Sequence, residues 1–168
     1  MKYVIFKTNW GYFGIAGNDS AIYRTYLPPQ KSDHIKQRLY RDFSDVKMDN
    51  SYFKSLQKQI IAYFQGDNID FKAEIPIFLD NFSMFSRRIL ITCRRIKLGQ
   101  ITTYADLARK AGYPNAGRAV GNVMAKNPLP LIIPCHRVIR SDGKLGGFTA
   151  PGGMNLKKRL LLHEKAPF

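Results

Sequence analysis

The sequence predicts an α+β fold: a small N-terminal β-sheet domain with helices, then a mostly helical C-terminal domain carrying a helix-turn-helix. Three observations lead there. Short apolar stretches separated by turn residues crowd the first part of the chain, and apolar residues recur at helical spacing from Phe53 onward. The second half alternates helical stretches with glycine-containing turns. The 168 residues suffice for one domain or two small ones with a real core, and a boundary is expected near residue 80, giving domains 1–80 and 81–168.

Residues 3–6 read as a short strand. Residues 10–16 and 21–27 flank Gly17-Asn18-Asp19-Ser20, a strong turn signal, so the three form a meander that Pro28-Pro29 ends. Residues 30–48 are polar and basic and are expected to be partly helical. Asn50 or Ser51 is placed to cap a helix carrying Phe53, Leu56, Ile60 and Phe64, which stops at Gly66. Ile75-Pro-Ile-Phe reads as an extended edge segment.

In the second half, residues 82–96 carry Phe85, Ile89 and Cys93 at helical spacing, which buries Cys93 as a small hydrophobe. Thr103-Tyr-Ala-Asp106 resembles a capping box with Asp in place of Glu and opens a helix to Lys110 or Ala111. Gly112-Tyr-Pro-Asn115 is a turn, with Asn115 placed to cap a second helix over 116–126. Helix, glycine-containing turn and helix make the helix-turn-helix pattern.

Twenty-seven Lys and Arg against twelve Asp and Glu give a net charge of +15 and a pI near 10. Such a balance favours a polyanionic partner. Nucleic acid comes first, an anionic membrane surface second, and plain solubility is the bland alternative. A hydrophobic fraction of 45% with 23% charged residues is ordinary globular composition and argues against a disordered chain. No apolar run approaches the roughly 18 residues of a membrane-spanning helix. The first residues lack the apolar region and cleavage site of a signal peptide, so a cytosolic protein is expected, or a nuclear one in a eukaryote. Cys93 and Cys135 cannot build a disulfide framework. With only His34, His136 and His163 beside them, and no C-x-x-C or H-x-x-x-H spacing, no metal site is expected.

Two stretches carry chemistry. In the second helix Gly117, Ala119 and Gly121 let a backbone approach closely, and Arg118 projects from that face. Packing against another helix fits this pattern, and so does approach to DNA, which the charge favours. Further on, the apolar Leu131-Ile-Ile-Pro134 delivers Cys135, followed at once by His136 and Arg137. Apolar surroundings raise a thiol's pKa and make it inert, whereas a neighbouring imidazole and guanidinium act in the other direction. His136 reaches Cys135 directly or through a water; the sequence leaves both open.

The Pro-Cys-His-Arg-Val run, with Gly-Arg-Ala-Val-Gly and Asn-Pro-x-Pro upstream and Leu-Leu-x-His-Glu downstream, resembles the O6-alkylguanine-DNA alkyltransferases. These are also called methylated-DNA–protein-cysteine methyltransferases, and the resemblance spans about residues 80–165. It implies a ribonuclease-H-like N-terminal domain. It also implies repair by direct reversal: a nucleotide is flipped from double-stranded DNA containing O6-alkylguanine (or, to a lesser extent, O4-alkylthymine), and the alkyl group passes irreversibly to the protein. By position Cys135 is the nucleophile and acceptor, and His136 the base acting through a water. Glu164 holds the other imidazole nitrogen, Tyr104 donates to the guanine ring, and Asn127 ties the turn between recognition helix and active-site strand. Arg118 replaces the flipped nucleotide in the stack, in a minor-groove mode, with Thr103, Asn115, Ala119 and Gly121 also at the DNA.

Met124, Pro130 and Val138 line the implied pocket with Phe148 and Thr149, the Val138 carbonyl accepting from the guanine amino group. Arg137 is structural, holding the two halves together. A monomer without a cofactor is implied. Phe148 stands where many relatives carry Tyr, and the four glycines of Gly146-Gly-Phe-Thr-Ala-Pro-Gly-Gly153 suggest a mobile rim. The cysteines with which some relatives bind zinc are missing. Two other readings stand beside this one. A non-catalytic alkyltransferase-like lesion-binding protein usually has Trp at the acceptor position, where this chain keeps Cys135. A cysteine hydrolase with turnover would use Cys135 and His136 but leave the helix-turn-helix idle.

Overall fold

In the computed structural model, which describes residues 1–71 and 74–168, the chain divides into two units, Met1–Phe78 and Leu79–Phe168. The first is built on strands β1 (Lys2–Thr8), β2 (Gly11–Gly17), β3 (Ile22–Tyr26) and β4 (Lys47–Met48), in the order β3-β2-β1-β4. β1 and β2 pair antiparallel from Lys2↔Gly17 to Thr8↔Gly11, and β3 pairs antiparallel with β2. β4 lies parallel to β1. A parallel neighbour needs a crossover, supplied by helix α1 (Ser32–Asp42). Ile75-Pro-Ile-Phe extends the edge as expected: the Ile22 N–H donates to the Pro76 carbonyl at 2.9 Å, and the Ile22 carbonyl accepts from the Phe78 N–H at 2.8 Å.

Alternation along the strands sends side chains to both faces. Tyr3, Ala16 and Tyr26 pack with Ile35 and Leu39 of α1. Phe13 meets Phe64 of helix α2 (Lys54–Gln65), with ring centroids 6.2 Å apart. Each such fully buried apolar side chain contributes about 1.5–3 kcal/mol. The expected Asn50 or Ser51 cap of α2 does not form. Ser51 is engaged with Asp49, through both its N–H and its hydroxyl, and Phe53 occupies the cap position at φ 50°. Gln57 instead reaches back from inside the helix to the Asn50 and Tyr52 carbonyls, at 3.0 and 2.8 Å.

In the second unit α3 (Met84–Arg94) is capped by Ser83 and buries Cys93 completely. Strand β5 (Thr102–Thr103) runs straight into α4 (Tyr104–Lys110). The Thr103 hydroxyl accepts from the Asp106 N–H at 3.0 Å and donates to the Asp106 carboxylate at 2.9 Å. Asp is one methylene shorter than the usual Glu, and it returns to the cap's hydroxyl. Helix α5 (Gly117–Ala125) has Ala116, not Asn115, at its cap position; Asn115 takes a left-handed φ of 70°, which Asn tolerates better than most residues. A short strand, β6 (Val138–Ile139), pairs parallel with β5, and α6 (Gly153–His163) ends the unit. No helix among the described residues is long and apolar enough to cross a membrane.

The turn between β2 and β3 is the tightest point of the first unit. A Cβ on Gly17 would overlap the Ala21 carbonyl and the Tyr52 hydroxyl, and Tyr52 itself lies 2.9 Å from the Asn18 carbonyl. Gly17→Ala is therefore expected to cost about 1–3 kcal/mol through overpacking, read as a lower midpoint in urea denaturation.

Candidate functional site

The parallel pairing of β5 with β6 joins the ends of two elements. β5 leads directly into Tyr104, and β6 follows directly on the 3-10 turn Cys135–Arg137. Tyr104 and Cys135 thereby line one cavity of about 460 Å³, together with Arg118, Gly121 and Met124 of α5 and with Phe148 and Thr149. Gly117 and Gly121 serve differently. A Cβ on Gly117 would lie 3.6 Å from Ala105, so this glycine faces α4, whereas Gly121 faces open space.

The apolar approach to Cys135 is a series of turns. Pro128, Pro130 and Pro134 have no N–H for a ladder, and Leu131 sits at φ 80°. Asn127 holds this segment, donating to the Ile133 carbonyl at 2.8 Å and accepting from the Leu129 N–H at 3.0 Å. Burial pushes the Cys135 thiol up. Against it act a hydrogen bond with the Asn127 side chain, the Lys157 charge and the backbone N–H groups of Cys135 and His136.

His136 is wholly buried and its Nε2 lies 2.8 Å from Glu164 Oε1. Arg137 donates to the same carboxylate through Nε at 2.8 Å and through its NH2 nitrogen at 3.0 Å, and to the Ile96 carbonyl at 2.5 Å. Burial alone would raise Glu164, but the bonds and charges of His136 and Arg137 outweigh it and hold the carboxyl well below its usual range. Burial, the largest influence, lowers the imidazole despite the pull of Glu164. The pair is therefore a carboxylate with a neutral imidazole. Since the carboxylate only accepts, the proton sits on Nε2, and Nδ1 keeps its lone pair. That atom is buried and has no hydrogen-bond partner among the described residues. Glu164 is thus fully partnered, and Arg137 is structural through Ile96 and Glu164, both in this unit.

A buried cation beside the site is not evident from the sequence pattern. Lys157 of α6 is wholly buried, donates to the Val138 carbonyl at 2.6 Å and lies 5.7 Å from the Tyr104 ring centroid. Burial lowers its pKa to about 8, against the pull of Cys135 and Cys93. It stands in the run Lys157-Lys158-Arg159, which reads as solvated charge. The available signal was Leu160 and Leu161, three and four positions on, which put Lys157 on the buried stripe. Burial, followed by the Cys135 charge, raises the Tyr104 phenol and keeps it a donor. Gly146, at φ 73°, lies against that phenol: a Cβ there would be 2.9 Å from the hydroxyl.

Among the other expected site residues, Thr103 is the α4 cap, and Asn115, Arg118 and Ala119 are exposed. Val138 and Pro130 are not among the residues that border the cavity. Val138 is buried in the β5–β6 pair, and Pro130 belongs to the turns before Cys135, bridged to Ile133. Arg140 and Ser141 border it unforeseen, Arg140 in a two-bond pair with Asp142 at 3.0 and 2.9 Å. The loop that the glycines mark is anchored at Thr149, whose hydroxyl donates to the Ala125 carbonyl at 2.8 Å. No group of three or more metal-binding side chains occurs among the described residues.

Residues 84–166, which include Cys135 and its buried polar neighbours, match the family model described as 6-O-methylguanine DNA methyltransferase, DNA binding domain. A protein of Metallosphaera sedula named methylated-DNA–protein-cysteine methyltransferase is 43% identical over 114 residues, 68% of this chain and 69% of that one. A protein of the same name from Methanosarcina acetivorans is 29% identical over 163 residues, 96% of each chain. The crystal structure of Mycobacterium tuberculosis OGT in complex with DNA superimposes with a TM-score of 0.80 at 31% identity, covering 99% of this chain and 96% of that one. The chain belongs to the methylated-DNA–protein-cysteine methyltransferase family.

Replacing Glu164 by Gln leaves the buried Arg137 without its counter-charge and should cost about 3–5 kcal/mol in denaturant titration at neutral pH. The pH dependence follows from the lowered carboxyl pKa. Below about 4.3 the unfolded carboxylate binds the proton first, so stabilisation present above that pH is lost as pH falls toward the folded value. Stability curves should show this acid loss in the wild type and a shallower one in Glu164→Gln.

Proposed function

We propose that this protein repairs DNA by direct reversal, moving the alkyl group of O6-alkylguanine, and to a lesser extent of O4-alkylthymine, from double-stranded DNA onto Cys135. The observation that carries the reading is the buried Cys135 at an open cavity, next in sequence to a neutral imidazole whose proton is held by Glu164. The lone pair on His136 Nδ1 takes the thiol proton through a water. The sulfur pair then forms the S–C bond as the C–O6 bond breaks, and the electrons of that bond stay on the guanine oxygen. Tyr104, a phenol kept protonated, donates to the guanine ring as this charge develops. A thioether is not readily hydrolysed, so each molecule acts once.

The α4–α5 pair serves as the helix-turn-helix, with exposed Arg118 and Ala119 meeting the minor groove and Arg118 filling the gap left by the flipped nucleotide. The net charge of +15 favours such a partner. The base enters beside Met124 and Phe148, which border the cavity. Strand order and the parallel β4 support a ribonuclease-H-like N-terminal domain, ending near residue 80. The protein works as a monomer without a cofactor, in the cytosol or, in a eukaryote, the nucleus.

Intact-mass spectrometry after mixing with a duplex holding one O6-methylguanine should find one methyl group per protein, mapped to Cys135. Cys135→Ala should bind the duplex and remove nothing; transfer by that variant, or more than one event per wild-type molecule, refutes the reading. His136→Ala should slow single-turnover transfer about 10²-fold or more, as loss of a positioned base does. Arg118→Ala should slow transfer from duplex DNA about 10–100-fold, equivalent to about 1.4–2.7 kcal/mol, while leaving thermal stability unchanged.

A further inference from the structure

The geometry points to Lys157 as the cation that stabilises the Cys135 thiolate, a positioning residue that acts through charge on the acceptor sulfur. The inference rests on the functional reading above and deepens it.

A buried ammonium is costly unless a counter-charge or a full set of acceptors compensates it. Among the described residues no carboxylate pairs with Lys157; its hydrogen bond goes to a neutral carbonyl. Glu164, the buried acid of this unit, is already occupied by His136 and Arg137. Lys157 lies 5.7 Å from the centroid of the Tyr104 ring of α4, which lines the cavity with Cys135, and Cys135, Cys93 and His136 are within its electrostatic reach. Cys93 is wholly buried in the core, whereas Cys135 borders the cavity. Of the two thiols around Lys157, Cys135 is therefore the one that can meet a reactant, while burial keeps the Tyr104 phenol protonated.

Arg137, the cation two positions after Cys135, is neutralised by Glu164. The thiolate thus depends on a cation brought from another helix. Lys157 holds this position without touching the reacting carbon.

The test is the pH dependence of Cys135 alkylation by iodoacetamide, followed by peptide mass mapping in the full-length protein without DNA. Lys157→Met removes charge and donor together. Lys157→Gln removes the charge but keeps a donor for the Val138 carbonyl. Both should raise the pH midpoint of Cys135 by about one unit or more, leaving about tenfold less thiolate at neutral pH, and should slow methyl transfer by a similar factor. Thermal unfolding should show both variants folded, since a buried charge has been removed.

A wild-type midpoint in folded Lys157→Gln overturns the inference and leaves Lys157 as a carbonyl anchor. Iodoacetamide needs neither lesion nor DNA. A wild-type protein that transfers no methyl therefore refutes the functional reading alone, whereas an unchanged midpoint refutes the inference alone.

Discussion

A carboxylate taken out of water must collect donors on both oxygens or lose its charge, and Glu164 collects three from two consecutive residues. His136 and Arg137 belong to the turn that also contains Cys135, and Arg137 continues to the Ile96 carbonyl beyond the end of α3. One anion therefore fastens the end of α6 to the active-site turn and to the chain after α3. It also decides the chemistry of the imidazole. Because a carboxylate can only accept, it takes the proton-bearing nitrogen and leaves the other as a base.

The thiol sits in the opposite situation. Burial disfavours its ionised form, and the forces that oppose burial come from three places: Asn127 in the preceding turns, backbone N–H groups at the start of the 3-10 turn, and Lys157 from α6. None of them is a full counter-ion bonded to sulfur. A group that must stay closed to solvent and yet ionise on demand is better served by several partial influences than by a permanent pair. The neutral His136 beside it adds a proton acceptor without adding charge.

Small residues around the cavity divide the work of approach and space. Gly117 brings α5 against the first turn of α4, and Gly121 leaves the cavity open above α5. Gly146 admits the Tyr104 hydroxyl against the loop backbone, while Thr149 anchors that loop to the last turn of α5. The cavity rim and the helix proposed to meet DNA are consequently one hydrogen-bonded assembly within the second unit.

Much of this was legible from the chain. The turn residues Gly17-Asn18-Asp19-Ser20 separate two strands, helical spacing from Phe53 reflects which neighbours share a face, and Thr103 caps α4 as its own side chain dictates. The caps at Asn115 and Ser51 were misjudged because other local bonds or backbone conformations won. The contiguous Cys135-His136-Arg137 and the downstream Glu164 could be assigned by resemblance, and the cluster of His136, Arg137 and Glu164 agrees with that assignment. What sequence alone determined were thus most of the elements and the contiguous Cys135-His136-Arg137 run proposed as the reactive centre, since these rest on bonds between near neighbours or on a continuous motif. Tertiary structure alone decided which charges lose their water. Lys157 and Lys158 are identical in type and adjacent in sequence, yet only Lys157 turns into the core beside Cys135. Desolvation depends on what another helix packs against, and that is a property of the folded chain.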